Sequence, residues 1–175
     1  MMIEQRKKIY SMSFTTATLL QHESIMFAGL YGDLGDWKSV REKVLESNLL
    51  QSRTKNTADR VCRELISRLK RLTSDQLLIL QDGITTDQNQ ILWAAVCKRY
   101  EFIKDFAVEV IHEKFISMDI DLSQIDYNMF FNQKAEWHDE MLRIKDSTRK
   151  KQRQFVFKML REAELLSSDN IIIWL

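Results

Sequence analysis

Not one proline occurs in the 175 residues, and glycine appears only four times. These two residues punctuate β-sandwiches and barrels, whose many tight turns need a fixed or a positive φ. A chain that nearly lacks them has little means of reversing direction at short intervals. It is left with helices joined by a few polar turns, so the expected class is all-α. Hydrophobic residues make up 45% of the chain, enough for a proper core and too many for wholesale disorder.

Apolar spacing and cap residues place the helices. Residues 1–12 read as a partly ordered arm and 13–175 as a single helical domain, divisible into sub-lobes at 13–83 and 84–175. The first helix is expected over 14–30, with Leu19, Leu20, Ile25, Met26 and Leu30 available for the core. YGDLGD (31–36) reads as a loop, and Asp36 as the N-cap of a helix over 37–47 with Trp37, Val40, Val44 and Leu45 buried. A third helix over 55–72 carries Ala58, Val61, Leu65, Leu69 and Leu72 on one face. Ser74 caps a short helix, 75–81, which Gly83 ends in the left-handed conformation. Thr85 with Gln88 has capping-box spacing and opens a long apolar segment, 86–117, either one helix or two separated near Tyr100. Ser123 caps a helix over 124–136, a further turn falls in 139–145, and the last helix spans 148–164. IIIWL at the end is the one β-like run, either a short strand or a tail packed on the body. Trp37, Trp93, Trp137 and Trp174 are expected in the core.

Net charge is +1 and predicts no partner, but its distribution is uneven. Residues 53–71 hold Arg53, Lys55, Arg60, Arg63, Arg68, Lys70 and Arg71 against Asp59 and Glu64; residues 143–161 hold eight cations against Asp146 alone. These two windows carry +12, so the rest of the chain carries −11. At about 100° per residue, Arg60, Arg63, Ser67, Lys70 and Arg71 lie opposite Val61, Leu65 and Leu69. Lys150, Gln154, Lys158 and Arg161 lie opposite Phe155, Met159 and Ala163. Basic stripes on two helices point to an anionic partner more than a single solvated face does.

The last helix poses the question sharply. DSTRKKQRQFVFKMLREAELL (146–166) sets Arg149, Lys150 and Lys151 in its first turns, against the positive end of the helix dipole, at about 0.3–1 kcal/mol each. Free N–H groups and that dipole bind phosphate, so a polyanion there rationalises the cost; Asp146 is the alternative source of compensation. The nucleic-acid candidates are therefore Arg53, Lys55, Arg60, Arg63, Lys70, Arg71, Arg149, Lys150, Lys151, Gln154, Lys158 and Arg161. Gln152, Gln154 and Asn56 are of the type that reads base edges. RTKNTADRVCRELISRLKRL and KDSTRKKQRQFVFKMLREAELL also echo each other as a basic residue, a threonine and an amphipathic helix, in the manner of the second helix of a helix-turn-helix. Leu165-Leu166, an SSDN turn and IIIWL look like the entry to a wing.

Other chemistries find no support in the spacing. There is no HExxH, phosphate-cradling glycine loop or nucleophile elbow, and WHDEM (137–141) spreads its polar residues around a helix. Asp119, Asp121 and Asp126 miss the EF-hand pattern. Cys62 and Cys97 lack CxxC spacing and read as core residues of a reduced, cytoplasmic protein. No apolar run of 18 residues is present, and the N-terminus does not read as a signal peptide. The expectation is a protein without enzymatic activity, cofactor, metal or membrane span.

Glu23-Ser24, Asp36-Trp37, NLLQSRT (48–54), RELISRL (63–69), CKRY (97–100), Asp105-Phe106 and STRKKQRQFVFKMLREAELL (147–166), in this order and spacing, resemble the BrxA family, small core proteins of the BREX bacteriophage-exclusion systems. The resemblance covers nearly the whole chain. It implies an all-helical fold similar to that of the NusB-like antitermination proteins, and a cytoplasmic, non-enzymatic protein that binds double-stranded DNA and works with other BREX proteins. Glu164 stands where the family pattern leads one to expect a glycine, at the turn into the wing. RNA binding, or docking of the basic stripes on an acidic subunit of the same system, stays open beside the DNA reading.

Overall fold

The computed structural model describes residues 9–173. Among them the chain is all-α, with isolated β-bridges in place of a sheet. Helices α1 (Gln21–Leu34), α2 (Trp37–Glu46) and α3 (Lys55–Leu69) are followed by α4 (Ser74–Asp82) and α5 (Thr85–Arg99). After a break, α6 (Glu101–Phe106) runs through a π-helical stretch (Ala107–His112) into α7 (Glu113–Ile116). Helices α8 (Gln124–Ala135), α9 (Asp139–Leu142) and α10 (Asp146–Glu162) complete the fold.

Cap chemistry sets several boundaries. Asp36 accepts the N–H groups of Lys38 and Ser39 at 2.8 and 3.0 Å and starts α2 as expected. Thr54 does the same for α3 through Thr57 N–H. Ser123 and Asp126 form a reciprocal capping box on α8. At α4 the cap is Thr73, paired with Gln76, and not Ser74. The expected box at Thr85 does not form; Gln88 is buried and donates to the Leu80 carbonyl at 3.0 Å. Gly83 ends α4 at φ −74°, outside the left-handed region. Its glycine is needed for space, since a Cβ there would lie 2.4 Å from the Ile79 carbonyl oxygen. The long apolar segment breaks at Tyr100 (φ −120°, ψ 98°).

The largest departure from the periodicity lies before α1. Residues 9–20 are not helical, and the helix starts only after Leu20, which sits at φ 49°. α1 then runs on to Leu34, through most of the stretch expected as a loop, and Gly35 caps it at φ 76°. Among the described residues no strand lies beside this non-helical segment. Buried backbone groups must still be paired, and here side chains from other elements pair them. Glu140 accepts Tyr10 N–H at 2.7 Å, and Gln152 donates to Met12 O at 2.8 Å. Arg68 donates to Ala17 O and Thr18 O, and Glu162 accepts Leu19 N–H. Thr15, Thr16 and Thr18 suit a non-helical path, because β-branched residues are the poorer helix formers.

One core unites the chain from Tyr10 to Ile172. At its centre Phe102 has the rings of Tyr10, Phe14, Tyr127, Phe130 and Phe131 around it, with centroids 5.3–6.1 Å away. Phe157 is buried as well. Of the tryptophans, Trp93 is buried and Trp37 packs on the core from one side, whereas Trp137 is 68% exposed. Trp174 lies outside the described residues.

Glu64 and Arg68, both on α3, form a buried pair that ties the helix to the non-helical segment through Ala17 and Thr18. Arg68 Nε donates to Glu64 Oε1 at 2.6 Å, and the Tyr100 hydroxyl donates to the same carboxylate at 2.6–2.7 Å. Arg68 therefore leaves the surface charge of α3, and Glu64 leaves with it.

After α10 the chain turns at Glu164 (φ 61°), where Leu165 N–H reaches back to Leu160 O at 2.9 Å. This is a Schellman-type ending made without glycine. Ser167–Asn170 forms the next turn, and antiparallel bridges join Leu166 to Ile172 and Ile171 to Asp121. The β-like run is thus a pair of bridges as far as residue 173.

Candidate nucleic-acid interface

Most of the basic residues between 53 and 71 fall in two hollows. Arg53, Lys55 and Asn56, at the start of the helix, line a hollow of about 630 Å³ together with the acids Glu46 and Asp59. Farther along, Arg63, Lys70 and Arg71 line a groove of about 850 Å³ with Trp37, Lys38, Arg41, Ile66, Ser67 and Arg99. That lining brings six cations together and includes no acid. Arg60 is exposed outside both.

Local pairing decides which of these charges are free. Asp59 binds Arg41 and also Arg63, the latter at 3.1 Å. The Arg41 guanidinium holds the Asp59 carboxyl below its ordinary range. Lys38 lies 3.9 Å from Glu42 in an exposed pair that contributes little. Arg99 donates to Ser67 Oγ at 3.2 Å and lies over the Tyr100 ring at 4.8 Å, which fixes its side chain. Lys70 and Arg71 are exposed and have no carboxylate partner among the described residues. A groove of this kind attracts anions, and its two free cations can neutralise phosphate without first breaking a pair.

Helix α10 answers the question raised by its sequence. It begins at Asp146, so an acid does occupy the first turn. Arg149 turns back onto the body, donating to Asn128 O at 2.8 Å and lying over Phe131 at 4.3 Å. It is half-buried, with its guanidinium engaged by these groups. Lys150, Lys151, Gln154, Lys158 and Arg161 are exposed. Lys151 lies over the Phe155 ring, Lys158 is 3.9 Å from Glu162, and Arg161 bonds Asn170 Oδ1. Gln152, a candidate base reader by type, is 1% exposed and spent on Met12 O. None of the α10 cations lines either hollow of α3.

Lys38, Arg41 and Arg99 were not singled out by the sequence. They come from α2 and α5, where charges are mixed, and counting charge in windows along the chain does not see a cluster assembled across helices.

The thiols do not fit a nucleophile. Burial pushes Cys62 up to about 11 and Cys97 up to about 12. Among the described residues no three His, Cys, Asp or Glu side chains are placed to hold a metal ion, and no helix is long and apolar enough to cross a membrane.

Comparison with known proteins bears on the family and the fold. A family profile described as BrxA matches residues 8–173. The chain belongs to the BrxA family. BREX protein BrxA of Escherichia coli O9:H4 (strain HS) is 26% identical over 145 residues, which is 83% of this chain and 68% of that protein. BREX protein BrxA of Bacillus cereus (strain H3081.97) is 26% identical over 130 residues, 74% of this chain and 65% of that protein. The chain thus spans about two thirds of the length of these BrxA relatives. A crystal structure of an uncharacterized protein from Magnetospirillum magneticum superposes with a TM-score of 0.81 at 22% identity, covering 96% of this chain and 87% of that one. It shares the fold seen here.

Proposed function

We propose that the chain is a non-enzymatic, cytoplasmic accessory protein of a bacterial BREX phage-defence system, binding duplex DNA through its phosphates. The observation that carries this reading is that Lys70 and Arg71, just after α3, and Lys150 and Lys151, on α10, are exposed with no carboxylate partner among the described residues. Membership of the BrxA family, and the names of its BREX relatives, supply the phage-defence setting and make other BREX proteins the expected partners. Arg53, Lys55, Arg60, Arg63, Lys158 and Arg161 add to the attraction around these four. Contacts of this kind position a protein on the duplex and carry no sequence information. Gln154 and Asn56, both exposed, are the remaining candidates for reading bases.

A gel-shift series with duplexes of unrelated sequence, repeated with duplex RNA, tests the proposal. Binding of every DNA duplex with similar affinity, weaker on RNA, is the expected result. A chain that binds no DNA at low salt but co-purifies with an acidic BREX subunit is instead a protein-docking module.

A further inference from the structure

The groove between α2, α3 and α5 contains more than phosphate attraction requires. Trp37 and Ile66 line it together with its six cations. One face of the Trp37 ring is covered by Tyr31, whose ring centroid is 4.2 Å away, and the indole still borders the groove. A DNA duplex keeps its base faces inside the stack and presents phosphates, sugars and base edges. An indole and an isoleucine gain nothing from those groups. An unpaired nucleotide offers an apolar base face and a phosphate side by side, and proteins that hold single strands combine an aromatic platform with a cationic groove.

We propose that this groove takes a single-stranded stretch of DNA, with its phosphates on Lys70, Arg71 and Arg99 and a base against Trp37. The proposal rests on the nucleic-acid reading above and adds a second binding mode to it. The cations are suited to different parts in it. Arg99 is held in place by Ser67 and Tyr100, whereas Lys70 and Arg71 are free to follow a flexible backbone. Arg41 and Arg63, tied to Asp59, shape the wall. The α10 cations lie outside this groove, so substitutions on α10 touch duplex binding alone, whereas Lys70 and Arg71 serve both modes and their loss is read in the gain from the tail.

The test uses the full chain, a blunt labelled duplex and the same duplex extended by a single-stranded tail of about eight nucleotides, a length within the site sizes of known single-strand binders. The tail is expected to tighten binding about tenfold. That gain disappears in Lys70→Ala/Arg71→Ala, which alters two exposed side chains, and falls about threefold in Trp37→Phe, where a smaller ring remains. Irradiation of a tail carrying 5-iodouracil cross-links it to Trp37. Blunt-duplex binding with no gain from the tail, or a gain that survives in both variants, overturns the proposal and leaves duplex binding standing. Binding to neither DNA removes both.

Discussion

Arg68 and Glu64, one turn apart on α3, meet at 2.6 Å with almost no access to solvent. The pair joins three parts of the fold: Arg68 also bonds the carbonyls of Ala17 and Thr18, and Glu64 also accepts the Tyr100 hydroxyl. Breaking a buried pair leaves its partner uncompensated at a cost of about 3–5 kcal/mol. Arg68→Ala should lower the stability read by urea unfolding by that amount. An apolar double replacement, Glu64→Leu/Arg68→Met, often restores stability in buried pairs. Here it should not, since the two carbonyls and the Tyr100 hydroxyl stay inside without partners. Recovery in the double variant would show that the non-helical segment does not depend on Arg68.

The turn after α10 gives a cleaner backbone test. Glu164 adopts φ 61°, a conformation glycine takes at no steric cost. Its carboxylate accepts the Thr86 hydroxyl at 3.0 Å, so comparison with the wild type would mix two effects. Glu164→Gly and Glu164→Ala both lose that bond, and only glycine relieves the backbone. The glycine variant should be the more stable by about 1 kcal/mol in thermal or denaturant unfolding.

Acid should act on the start of α8. Burial works to raise the pKa of Asp126, but its bonds to the Ser123 hydroxyl and N–H and the nearby Lys114 ammonium outweigh it, and the carboxyl is held below its ordinary 3.8. A carboxylate whose folded value is depressed contributes stability above its unfolded value and loses it as the pH falls through the folded one. The stability gap between wild type and Asp126→Asn should therefore be constant near neutrality and shrink as the pH drops below about 4. Urea midpoints measured across that window check it, and a gap independent of pH would contradict it.

The sequence was legible where local chemistry decides structure. Asp36 and Ser123 cap helices through their own side chains, the break at Tyr100 ends an apolar period, and the absence of proline limits the class. It was not legible where distant groups decide. Residues 14–20 have helical spacing, yet their backbone is paired by Arg68 and Glu162, which lie far along the chain. Charge followed the same rule. Arg68 and Arg149, counted with the charge of their helices, and Gln152, a base reader by residue type, are drawn inward by partners on other elements. Arg41 and Arg99 complete a groove that no single helix reveals.

The most direct test of the account is the salt dependence of duplex binding in the wild type and in Lys150→Glu/Lys151→Glu. Each phosphate contact contributes about 0.9 to the slope of log affinity against log salt. Steep salt dependence is expected for the wild type, and weaker binding with a slope shallower by about 2 in the variant. Unchanged affinity and slope would contradict it, and would place the DNA contact, if any, away from α10.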